Sequence, residues 1–145
     1  MTSSVQMVDK SGWEQARYGR RARDRLHSLR ESGRLAVCVV RMAELLYSAR
    51  DVAELSRLRL ELGSFPYLHC SERAERQIEE VMSVLATRGQ HHLPIPDLML
   101  AAIAQAASAT VLHYDSGYER IAAVTGQPHE WVVPRGSGHG GDGAE

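Results

Sequence analysis

The chain is 145 residues long, 43% hydrophobic and 24% charged, with a formal net charge of −1. That length and composition fit one folded domain with a real core and exclude intrinsic disorder. The near-zero charge excludes a global pull toward nucleic acid or membrane, and no uninterrupted apolar stretch approaches the roughly 18 residues that a membrane span requires. Cys38 and Cys70 share no C-x-x-C spacing, and the N-terminus has no basic start followed by an apolar run. The expected compartment is therefore a reducing cytoplasm, with Cys38 a small buried hydrophobe.

In chain order, residues 5–8 read as a short first strand, and residues 12–31 as an Arg-rich helix with Ala16, Ala22, Leu26 and Leu29 at helical spacing. Residues 35–40 are a continuous apolar run, as a strand covered on both faces would be; a helix over 41–49 follows. Asp51 is placed to N-cap a helix whose Val52, Leu55, Leu58 and Leu62 form one stripe, and Gly63 stops it. Residues 65–68 read as a short strand near a sheet edge because of Pro66. Ser71 opens a long helix through Arg88. Pro94 and Pro96 exclude helix over 90–96, so the next one, apolar nearly all round and hence buried, opens at Asp97. Residues 110–114 read as a strand, 116–124 as a short helix and 130–133 as a last strand, closing a domain of residues 1–135; 136–145 read as a flexible Gly-rich tail. Strands alternating with helices predict an α/β fold: a three-layer α/β/α sandwich around a central, mostly parallel sheet of four to five strands.

Four acids each stand just past a short apolar stretch: Asp9, Glu44, Asp97 and Asp115. If the strands before Asp9, Glu44 and Asp115 are neighbours, their acids meet at the carboxyl edge of one sheet, where open α/β folds place ligands. Such a cluster repels itself, and a hard divalent cation with oxygen ligands is the simplest relief. Taken singly each acid has a plainer reading: Asp97 and Asp115 as helix caps, Glu44 as a surface helix residue. Their coincidence favours the metal site. Residues 10–41 hold nine basic against three acidic residues, so a positive region could accompany the acidic one. His91 and His92 are adjacent and make a poor zinc pair; His113 reads as a packing or edge residue. Phosphate-binding glycine loops and the G-x-S-x-G elbow are absent. A phosphoacceptor receiver domain would need a lysine on a late strand, and the only lysine is Lys10.

The strings Val8-Asp9-Lys10-Ser11, Ala43-Glu44-Leu45-Leu46, Pro94-Ile95-Pro96-Asp97-Leu98 and Val111-Leu112-His113-Tyr114-Asp115, in this order, resemble the PIN-domain ribonucleases, specifically the VapC-type toxins of toxin–antitoxin pairs. The resemblance implies a PIN-like fold and a Mg²⁺-dependent endoribonuclease, with Mn²⁺ as a substitute. It implies Asp9, Glu44, Asp97 and Asp115 as catalytic, metal-holding acids, with Ser11 hydrogen-bonding a carboxylate or a water in support. Its implied partners are an RNA substrate, a small antitoxin that places an Arg among the carboxylates, and a second copy in a homodimer, with no membrane. One departure stands out. The family often has a further acid two positions after the fourth, and here that position is Gly117. This keeps open one metal rather than two, and a catalytically weakened PIN-like module that binds RNA or protein.

Overall fold

A computed structural model of the chain describes residues 5–139. Its elements are β1 (Gln6–Val8), α1 (Lys10–Tyr18), α2 (Arg20–Glu31), β2 (Leu35–Cys38), α3 (Val39–Tyr47), α4 (Val52–Leu62), β3 (Tyr67–Leu68), α5 (Glu72–Thr87), α6 (Ile95–Ala106), β4 (Thr110–His113), α7 (Gly117–Thr125) and β5 (His129–Trp131). Among the described residues the strands form one sheet in the order β3-β2-β1-β4-β5, and every pairing is parallel.

Residues of the three inner strands β2, β1 and β4 alternate between two covered faces, which is why these runs are mostly apolar, with Gln6, Thr110 and His113 the exceptions. Met7, Ala36, Cys38 and Val111 face one layer, formed by Ala74, Val81 and Leu85 of α5, Leu98, Ala101 and Ile103 of α6, and Tyr118 and Ile121 of α7. Val8, Leu35 and Leu112 face the other, formed by Ala22, Leu26 and Leu29 of α2 with Trp13 and Ala16 of α1. This is the three-layer α/β/α arrangement the alternation predicts. Strand order steps outward from β1 to β2 and β3, then resumes on the other side with β4 and β5. The topological switch therefore lies between β1 and β4, and a crevice opens there at the carboxyl edge.

The last strand, expected over 130–133, is His129–Trp131, and the strand expected over 65–68 is only Tyr67–Leu68; four further departures have a plain physical reason. The helix expected over 12–31 is two: α1 starts at Lys10 with Asp9 as its cap, and extended backbone at Gly19 (φ −115°, ψ 132°) separates it from α2. The strand expected over 35–40 stops at Cys38, and Val39 and Val40 already belong to α3; a short apolar run reads alike as strand or buried helix. Helix α6 begins at Ile95, not Asp97, with Pro96 in its first turn, where a missing N–H costs nothing. Residues 136–139 do not stand free as a tail: the buried Gln15 donates to the His139 carbonyl (2.5 Å) and accepts from its N–H (2.7 Å), while the Tyr114 hydroxyl accepts from the N–H groups of Gly136 (3.0 Å) and Gly138 (2.8 Å). The rest of the expected tail, 140–145, lies outside the described residues. The edge position of β3, the Asp51 cap on α4 and the Ser71 cap on α5 are as read from the sequence.

Candidate active site at the carboxyl edge

Asp9 follows β1 directly and caps α1, so its position is fixed by both elements. Its Oδ1 accepts the Gly12 N–H (3.0 Å) and the Ser11 hydroxyl (2.6 Å). The Ser11 oxygen in turn accepts the Tyr114 N–H (2.7 Å). That second bond orients the hydroxyl, whose single proton is left for Asp9. Ser11 thus ties the end of β4 to the start of α1 and holds the Asp9 carboxylate between them. Close approach of α1 requires Gly12: a Cβ there would lie 2.9 Å from Val8 Cγ1 and 3.0 Å from the Leu112 carbonyl oxygen.

Asp115 follows β4. Its N–H donates to Nδ1 of His113 (3.0 Å), and its Oδ1 accepts the Gly117 N–H (2.8 Å). Gly117 thus meets Asp115 through its backbone. A Cβ at that position would sit 3.2 Å from Asp115 Oδ1, so a side chain there would crowd this arrangement. His113 is fully buried and pushed down to about 3 by burial and by the facing His129. Since Nδ1 accepts, the proton of the neutral ring is on Nε2, which points at Nδ1 of His129 (2.9 Å). The packing residue read from the sequence is therefore also the anchor of the Asp115 backbone.

Asp97 stands in the first turn of α6, half-buried. Burial pushes it up to about 7, and the charges of Asp9, Asp115 and Glu44 add to the rise. Asp9, almost wholly buried, is pushed up to about 6 by burial, with Asp115 adding and the bonds from Ser11 and Gly12 opposing. Asp9 and Asp115 end the neighbouring strands β1 and β4, and Asp97 feels the charges of both, with a smaller influence from Glu44. Glu44 sits on α3, 4.0 Å from the Arg41 guanidinium.

Two residues that sequence reading did not single out belong to this region. The buried Tyr118 hydroxyl, on α7, lies close enough to Asp9 and Asp97 to favour their charged forms, yet completes no well-aligned hydrogen bond among the described residues. Arg41 is buried, lies 5.6 Å from the Trp13 ring centroid, feels the charges of Glu44 and Asp9, and has an Nε without a partner among the described residues. Neither gives a sequence signal, because an aromatic at helical spacing reads as core and an Arg at a helix start reads as surface. The His91 and His92 rings lie 4.0 Å apart between centroids, tilted by 43°, in the loop before α6, and neither shifts the carboxylates.

Whether this donor set suits a cation can be judged from its chemistry. All candidate ligands are carboxylate oxygens, burial and neighbouring charge disfavour ionisation of Asp9 and Asp97, and the buried Tyr118 hydroxyl beside them lacks a good partner. Among the described residues no three His, Cys, Asp or Glu side chains converge closely enough to chelate a metal ion as they stand. Mg²⁺ does not require that. It keeps several waters and is held by one or two carboxylates directly, so a loose set of hard oxygens fits it.

The sequence matches the PIN domain family over residues 7–124. Ribonuclease VapC51 of Mycobacterium tuberculosis is 38% identical over 109 residues, covering 75% of this chain and 80% of that protein. Ribonuclease VapC18 of the same organism is 36% identical over 133 residues, covering 90% and 96%. In structure, a chain of the DNA-bound VapBC from Salmonella typhimurium superposes with a TM-score of 0.73 at 18% identity, covering 90% of this chain and all (100%) of that one. A chain of the DNA-bound VapBC2 from Rickettsia felis gives 0.70 at 19% identity, covering 87% and 97%. The fold, the carboxyl-edge acids and these likenesses agree: the chain belongs to the PIN-domain family and resembles its VapC ribonucleases.

Proposed function

We propose that the protein is a divalent-metal-dependent endoribonuclease, the toxin of a toxin–antitoxin pair, acting in the cytoplasm. The observation that carries this reading is the placement of Asp9 and Asp115 just past the adjacent strands β1 and β4 at the switch point, with Asp97 within reach of both charges. Asp9, Asp97 and Asp115 would hold Mg²⁺ or Mn²⁺, with Glu44 helping from the flank. When bound there, the cation supplies charge to offset the phosphodiester oxygens and acidity to the attacking water. The chain's own residues prepare the place. Ser11 and Gly12 fix the Asp9 carboxylate, His113 and Gly117 fix Asp115, and Arg41 offsets part of the acidic charge. Hydrolysis by water would leave a 5′-phosphate and a 3′-hydroxyl.

The likeness to VapBC pairs supports a small antitoxin as partner, and a homodimer is the expected assembly. Helix α4 buries no residue and leaves Val52 and Leu60 80% and 81% exposed, which suits a protein-facing surface. No helix among the described residues is long and apolar enough to cross a membrane. The test incubates purified protein with total RNA in Mg²⁺ or Mn²⁺, beside Asp9→Asn and Asp97→Asn. Cleavage by the parent, at least 100-fold weaker in either variant, is the expected result. Equal cleavage by all three would remove the metal-nuclease reading. A second reading, a catalytically weakened module, rests on Gly117 in place of a further acid; RNA binding without cleavage by the parent would favour it.

A further inference from the structure

Past the end of β5, on the carboxyl edge that carries the acids, lies a cavity lined by basic residues. This cavity holds about 350 Å³ and is lined by Arg21 and Arg25 of α2 and by Trp131, Val132, Val133 and Pro134 at and just past the end of β5. Strand β5 pairs with β4 in parallel, and β4 with β1. The cavity therefore stands on the same carboxyl edge as Asp115 and Asp9, two strand spacings or about 10 Å from the end of β1.

The two guanidinium groups differ in how they are engaged. Arg25 is part of the scaffold: it donates to the carbonyls of Trp131 (2.8 Å) and Val132 (3.2 Å) and pairs with Glu130 (3.2 Å). Arg21, one helical turn earlier on the same face, is exposed and makes no hydrogen bond or ion pair among the described residues. The carboxylates nearby are already matched, Glu130 by Arg25, Asp24 by Arg20 at 4.0 Å and Glu119 by Arg135 at 2.8 Å. An unmatched guanidinium at the mouth of a cavity, one step along the edge from a carboxylate cluster, suits a polyanion that spans both.

We propose that this cavity is a backbone-binding site for single-stranded RNA, in which Arg21 takes a phosphate neighbouring the one that lies at the acidic cluster. The proposal rests on the ribonuclease reading for the choice of polyanion. It adds what that reading lacks, a place where the strand gains positive contact. Four carboxylates alone repel RNA, and one buried Arg41 does not balance them. A guanidinium fork matches phosphate geometry and stays charged at any working pH. Such a contact positions the strand and carries no base preference.

The test is fluorescence anisotropy with a labelled 20-nucleotide RNA of mixed sequence, in EDTA so that nothing is cleaved, over a range of salt. The proteins are the full chain, Arg21→Glu, Arg21→Ala and, as a control of equal charge change on an exposed position far along the chain, Arg88→Glu. Arg21→Glu is expected to weaken binding at least tenfold, Arg88→Glu less than twofold. Arg21→Ala should lower the slope of log affinity against log salt by about 0.7, one single-strand phosphate contact. Circular dichroism melting checks that the exposed substitutions leave the fold intact. Equal affinity for parent and Arg21→Glu, or no RNA binding by the parent, overturns the proposal. So does an acidic peptide of similar charge that binds as tightly and depends on Arg21 to the same degree, which would assign the cavity to a protein ligand. Failure of the parent to cleave RNA in Mg²⁺ would sink the ribonuclease reading without touching this comparison.

Discussion

Replacing Asp9 by Asn keeps an oxygen to accept the Ser11 hydroxyl and the Gly12 N–H, so the cap on α1 survives while the charge goes. Because burial already disfavours that charge, Asp9→Asn should melt higher than the parent in EDTA at neutral pH, yet lose the stabilisation that Mg²⁺ would confer on the proposed function. Differential scanning fluorimetry with and without Mg²⁺ reads both; a variant that melts lower in EDTA would contradict the account of Asp9. Gly12→Ala tests the neighbouring contact. Alanine gains about 1 kcal/mol in helix preference, but its methyl would press on Val8 Cγ1 at 2.9 Å and on backbone at Leu112, which cannot swing aside. Overpacking costs about 1–3 kcal/mol, so a net loss in urea midpoint is expected, and a gain would mean that α1 moves freely on the sheet. The positions of Asp9 and Asp115 were legible because each stands just past an apolar strand at the sheet's carboxyl edge, whereas Glu44 and Asp97 lie inside α3 and α6. Tyr118 and Arg41 were not, because their approach to Asp9 comes from helices packed across the crevice, a relation that no local string records.

Elements were legible where hydrophobic period and capping agree, as in α4 behind Asp51 and α5 behind Ser71. Errors fell where one residue type serves two states. Pro96 excludes a helix interior but suits a first turn, and Val39-Val40 extends an apolar run that serves strand and helix equally. The segment after β5 shows a third kind of error. Its glycines suggest a loose tail, yet Gly138 is glycine because a Cβ there would meet Tyr114 Cζ and Gln15 Oε1 at 2.5 Å. The segment lies against α1 and the end of β4, with Gln15 pairing both backbone groups of His139. Gly138→Ala, or truncation after Arg135, is therefore expected to cost about 1–3 kcal/mol, the scale of a few buried hydrogen bonds. Chemical denaturation measures it, and an unchanged midpoint for both would show that the segment contributes nothing to the fold.

At the scale of the whole molecule, buried carboxylates at the switch point make stability depend on protons and, on the proposed function, on cations as well. Asp9 and Asp97 are raised to about 6 and about 7 in the folded chain, above the carboxylate range near 4 of an unfolded one. The folded state thus binds more protons than the unfolded state between about pH 4 and 7, and linkage makes stability fall as pH rises through that window. His113 acts with the opposite sign. It stays neutral in the fold down to about 3 but charges near 6.5 when unfolded, so its contribution is lost as pH falls below 6.5. Two aspartates outweigh one histidine between pH 5.5 and 7.5, and the metal-free protein should melt lower at pH 7.5 than at 5.5. On the proposed function, millimolar Mg²⁺ would bind the ionised carboxylates and not the protonated ones, so its stabilisation should be larger at pH 7.5, reversing or flattening the trend. The double variant Asp9→Asn, Asp97→Asn removes both effects and leaves the histidine slope, with stability rising from pH 5.5 to 6.5. Melting curves at the two pH values, in EDTA and in Mg²⁺, decide it. A parent that melts higher at pH 7.5 in EDTA, with an equal Mg²⁺ shift at both values, would mean that these carboxylates do not share a site.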